Sequence, residues 1–158
     1  MNDLTTARDA FLEKVETYAS GQAKRFAPVL DELIRWSEAN GLELTPHTGT
    51  QNLFRFSVPG VSMAFWSATP RTDDGAKLTL LNDSRFPEPL RTLARDELAR
   101  IDRKEREPGT VPEVAFTQLI WGPYRVRVLD LMARLLDGVR RPKADSRSTA
   151  EVGLSPTS

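Results

Sequence analysis

The chain has 158 residues, 39% of them hydrophobic and 28% charged, which is the balance of an ordinary globular domain at a length that suits one domain rather than two. Its 22 basic and 22 acidic side chains cancel, which argues against holding nucleic acid or an anionic membrane by bulk charge, while a local basic patch is still allowed. With no cysteine there are no disulfides, thiolate nucleophiles or cysteine-bound zinc, and no run of about 18 apolar residues forms a membrane-spanning helix.

Asp3 is a fitting N-cap for a first helix in which Ala7, Phe11, Val15 and Tyr18 recur at helical spacing until Gly21. A second helix is expected over Pro28 to Asn40, with Leu30, Leu33, Ile34 and Trp36 apolar and Gly41 at its stop; a start near Gln22 would put Pro28 inside it. Leu42 to Leu44 reads as a short extended piece, followed by a turn through Pro46, His47 and Gly49.

Leu53 to Val58 and Val61 to Ser67 then alternate apolar with polar or small residues, the period of a half-buried antiparallel sheet, and Ala76 to Leu81 follows. A tight connection at Pro59-Gly60 would set Phe56 opposite Met63 and Phe54 opposite Phe65 on a shared apolar face. Leu53, Arg55, Ser57, Ser62, Ala64 and Trp66 would then lie on the other face. L-proline followed by glycine favours type I or II turns, which suit a two-residue hairpin poorly.

A third helix is expected from Pro87 or Pro89 to Glu105, its charged side carrying pairs such as Asp96 with Arg100 and Asp102 with Arg106. Residues 111–121 suit either a short helix, which Thr110 and Glu113 would box, or a strand through Val114 and Phe116; the helix is preferred. Gly122 and Pro123 open a final helix with Val128, Leu131, Met132, Leu135 and Val139 as its stripe. Residues 141–158 have the composition of a disordered tail after one domain over 1–140. These elements predict an α+β fold: a small antiparallel sheet of three or four strands packed with two N-terminal and two or three C-terminal helices.

His47, the only histidine, reads as a turn residue. Asp73, Asp74 and Lys77 invite comparison with metal-dependent nucleases, but Asp74-Gly-Ala-Lys77 has one residue too many, and an Asp-Gly turn explains it better. The outward face of the sheet is the first candidate site: Arg55, Trp66, Lys77 and Thr79, with Arg71 on the adjoining loop and no acid on its strands. A guanidinium beside an indole suits a carboxylate, phosphate or base, and the competing reading is that a helix covers this face. Trp121, Tyr124, Arg125 and Arg127 form a second aromatic and basic cluster, in which Arg125 and Arg127 could instead pair with acids of the third helix.

No motif is specific enough to transfer residue roles from a known family. The expected function is a non-enzymatic, cytoplasmic binding module that turns the Arg55 face toward a small anionic ligand or protein partner, without cofactor or metal. Nucleic acid is not favoured by the net charge. The alternatives are a small metal-dependent enzyme or accessory domain of nucleic-acid processing, using Asp73, Asp74 and Lys77, and a protein that dimerises through Trp121 and the final helix.

Overall fold

The computed structural model describes residues 3–45, 54–61, 63–72, 74–102 and 112–141. His47, Leu53, Ser62, Asp73, Thr110, the pairing of Asp102 with Arg106 and the tail beyond Arg141 lie outside the described residues. Helices α1 (Asp3–Tyr18) and α2 (Gln22–Ala39) lead into β1 (Glu43–Leu44), β2 (Phe54–Ser57), β3 (Ala64–Arg71) and β4 (Gly75–Leu80). Then come α3 (Glu88–Asp102), β5 (Glu113–Ala115), α4 (Phe116–Leu119) and α5 (Gly122–Arg140). The architecture is α+β, and the five strands pair antiparallel in the order β1-β2-β3-β4-β5.

Antiparallel partners point to the same side of a sheet, so the register divides the residues into two faces. One row runs Phe54, Ala68, Leu78 and Val114, and the next runs Phe56, Trp66 and Leu80; every one of these side chains is buried. This face meets the helices. Phe11 of α1 packs on Phe54 and Phe116, Phe26 of α2 packs on Phe116, and α1 lies against β2, β3 and β4. Meanwhile α3 packs against β5 and α5.

The register corrects the tight Pro59-Gly60 hairpin. Those residues do turn, with Val61 N–H donating to the Val58 carbonyl at 2.9 Å and Gly60 at φ +84°, the positive value that a type II turn needs at its third residue. The ladder, however, begins only at Ser57 opposite Ala64, and the pairing then shifts so that Phe56 faces Trp66 and Phe54 faces Ala68. Phe65 is the extra residue of a β-bulge. A regular strand would turn Phe65 and Trp66 to opposite sides; the bulge lets both reach α2, where Phe65 stacks on Trp36 and Trp66 meets Ser37.

Two more expectations change. Helix α2 begins at Gln22 and runs through Pro28, because Glu16 of α1 supplies the cap that α2 lacks, accepting from Gly21 N–H at 2.8 Å and Ala23 N–H at 3.3 Å. In the 111–121 segment, Glu113 to Ala115 pair with β4 as a strand, and only Phe116–Leu119 are helical. That adds the fifth strand. The pairing of Arg100 with Asp96 also gives way, since Arg100 pairs with Glu97 three residues earlier.

Candidate functional site

The sheet face opposite the helices carries the row Arg55, Ser67, Thr79 and Glu113, and beside it Thr69 pairs with Lys77 and Arg71 with Gly75. Arg55, Lys77 and Thr79 therefore share a face as the alternation predicts, while Arg71, expected on the adjoining loop, is the last residue of β3 on the same face. Trp66 does not. It is 1% exposed, stacks on Phe54 and Phe56, and donates its indole N–H to Ser37 Oγ at 2.7 Å. Ser57, also expected outward, is buried and hydrogen-bonded to Thr45 Oγ1 at 2.6 Å.

Nor is this face without an acid. Glu113, brought alongside β4 by the strand it was not expected to join, accepts from Lys77 Nζ at 2.8 Å and lies 3.4 Å from Arg71 Nη1. Asp74 holds Arg71 through two parallel bonds, Nε to Oδ1 at 3.0 Å and Nη2 to Oδ2 at 2.8 Å. Arg71 and Lys77 thus lock the β3–β4 turn to β5, and they stand outside the candidate ligand-binding set because neither lines the cleft at the other end of this face. The same pair occupies the Asp74 carboxylate that a metal reading would use. Among the described residues, no group of three or more His, Asp or Glu is placed to hold a metal ion.

At the other end of this face the sheet opens into a cleft of about 290 Å³, lined by Arg55, Met63, Ala64, Trp66, Ser67, Thr79, Asn82, Asp83 and Arg85. Its floor is the sheet and its wall is the loop after β4. Leu81 directs that loop: it is fully buried and adopts φ +51°, a left-handed conformation that is uncommon for leucine, while its N–H donates to the Phe65 carbonyl at 3.0 Å. The chain therefore turns at once, and Asp83 fixes the wall by accepting from Arg85 N–H at 2.9 Å, Nε at 3.0 Å and Nη2 at 2.9 Å. These bonds hold the Asp83 carboxyl well below its usual range, at about 2.

The cleft thus contains two guanidinium groups and one ionised carboxylate. It also contains three neutral polar side chains, Ser67, Thr79 and Asn82, that make no hydrogen bond to another described residue. Thr79 as a whole is 4% exposed. Ser67, Asn82 and Arg85 were missed in the sequence because the expected hairpin set the alternation of β3 off by one and because no pattern in the loop between β4 and α3 shows that it folds back along the sheet. The corrected register would have found Ser67, directly opposite Thr79.

The second cluster is divided as well. Trp121 is 58% exposed and meets Tyr124 edge-on with ring centroids 4.7 Å apart, and Val126 is exposed near them in sequence. Arg125 turns away: its Nε pairs with Glu32 of α2, not with the third helix, at 2.7 Å, and Nη1 donates to the Leu119 carbonyl at 3.1 Å. Arg127 is exposed.

Compared with family models, with curated proteins and with solved structures, the chain finds no match. No described helix is long and apolar enough to cross a membrane.

Proposed function

We propose that the chain is a non-enzymatic binding module whose cleft at Arg55, Ser67, Thr79, Asn82 and Arg85 receives the anionic group of a ligand. The observation that carries this reading is one concave site in which Arg55, and Arg85 held in the wall by Asp83, meet three polar side chains that make no hydrogen bond to another described residue. Arginine is suited to anions because its planar fork matches their oxygens and its charge persists at all working pH values. The strained Leu81 supports the same place, since backbone strain concentrates where the chain must be aimed. Relative to the sequence-based site, Arg55 and Thr79 are kept, Arg71, Lys77 and Trp66 are withdrawn as ligand contacts, and Ser67, Asn82 and Arg85 are added.

The test is ligand-observed NMR with acetate, L-glutamate, citrate, methyl sulfate and methyl phosphate, whose C–H protons report on contact with the protein, run on the wild-type chain and on Arg55→Met. At least one anion should show saturation transfer from the wild type, and Arg55→Met should lose it while retaining the wild-type circular dichroism spectrum. Undiminished transfer in the folded variant, or none from the wild type, would refute the reading.

A further inference from the structure

Building on the reading of the cleft as an anion site, we infer that its ligand is small and carries hydroxyl groups beside the anionic group, as a hydroxy acid or a sugar acid does. An anion alone would leave much of the lining unused. Ser67 and Thr79 stand directly opposite each other in the β3–β4 ladder, spaced by the sheet at about 5 Å, and Asn82 adds its amide from the loop after β4. None of the three makes a hydrogen bond to another described residue, and each can both donate and accept. The oxygens of an anion only accept. The accepting sides of these groups therefore call for a ligand atom that donates.

Asp83 sharpens that requirement. Its ionised carboxylate offers about four acceptor positions, and Arg85 fills two of them at Oδ1 and one at Oδ2. A position at Oδ2 stays open, on a side chain that lines the cleft and is 28% exposed. A ligand anion set beside it would be repelled, whereas a ligand O–H would be held by a charge-assisted bond. Other groups fit less well. An ammonium only donates, so it answers Asp83 but gives the Asn82 N–H and the hydroxyl protons no acceptor of its own. An apolar group answers neither side, and expelling ordered water without replacing its bonds loses affinity. The lining agrees. Its apolar members are Met63, Ala64 and Trp66, and Trp66 is turned into the core against Phe54 and Phe56, whereas most ligand pockets are lined chiefly by apolar and aromatic side chains. At about 290 Å³ the cleft also lies at the small end of such pockets, which run from about 300 to 1,000 Å³.

Saturation-transfer NMR titrations on the full chain test this with matched anions. Propionate, lactate and glycerate carry no, one and two hydroxyls on the same three carbons, alanine carries an ammonium where lactate has its hydroxyl, and propyl phosphate with glycerol 3-phosphate repeats the comparison on a phosphate. In whichever series binds, the fully hydroxylated member should bind about threefold or more tightly than the plain one, as net gains of one or two hydrogen bonds require. Lactate should bind more tightly than alanine. Asn82→Ala, at an exposed position, should bring the hydroxylated member severalfold closer to the plain one. Plain and hydroxylated members binding equally, alanine binding more tightly than lactate, or a gap that Asn82→Ala leaves unchanged would each overturn the hydroxyl assignment and leave the anion site standing. Failure of every anion to bind would remove the anion site itself.

Discussion

Ser37 shows how one side chain decides which face of a strand is core. Its hydroxyl donates to the Leu33 carbonyl at 2.8 Å, as a helical serine readily does, and its remaining lone pair accepts the Trp66 indole N–H. Without that acceptor a buried indole would strand its one donor, so Ser37→Ala should cost about 1–3 kcal/mol in denaturant unfolding. Adding Trp66→Phe removes the stranded donor, and the double variant should cost less than the two single changes summed. Simple additivity would show that the bond contributes nothing. Asp83 gives a residue-level prediction of a different kind. Its folded pKa, lowered to about 2 by Arg85, lies below its unfolded value, so its contribution to stability is present above about pH 4 and is lost as pH falls toward 2. Asp83→Asn should therefore flatten the fall in stability over that window. An unchanged slope would argue against the Asp83–Arg85 bonds.

At the scale of elements, the sequence was legible where the pattern repeats and obscure where it breaks. Alternation through Leu53 to Val58 and Val61 to Ser67 announces two strands, though it does not show that β3 runs on to Arg71, and Thr79 with Lys77 places the polar face of β4 correctly. Nothing in the adjacent Phe65 and Trp66 says which of them faces the core, because a single strand does not reveal where its partner's register slips. The three residues of β5 are too few to show a period, and Glu113 served a helix cap on paper as well as it serves β4 in the fold. The cleft was hidden for these same reasons, since Ser67 and Arg85 become site residues only once register and loop are known. The Asp74-Gly75 turn, by contrast, was plain. Gly75 has φ +97°, and a Cβ built there would lie 2.8 Å from Phe26 Cε2. Gly75→Ala combines left-handed strain with that clash and should destabilise the protein by more than about 1–2 kcal/mol, lowering the melting midpoint by several degrees. A midpoint within a degree of wild type would contradict this packing of α2 on the β3–β4 hairpin.

For the molecule as a whole, the helices on one side of the sheet are tied to one another at points far apart in sequence. Arg8 of α1 grips Asp31 of α2 through two bonds, at 2.6 and 3.0 Å. Arg125 of α5 reaches Glu32, and Arg140 near its end donates to the Asn40 carbonyl at 2.5 Å. Exposed pairs of this type contribute about 0–1 kcal/mol each; their larger effect is to fix how the helical layer sits on the sheet. The opposite face is divided in two, with Arg71, Asp74, Lys77 and Glu113 closed upon one another at one end and the cleft open at the other. That division is the central claim, and amide chemical-shift mapping of the full chain with glycerate tests it most directly. Saturating shifts should gather on Arg55, Ser67, Thr79, Asn82 and Arg85 and leave Lys77 and Glu113 still. Shifts centred on Trp121 and Tyr124, or on the Arg71–Glu113 network, would contradict it.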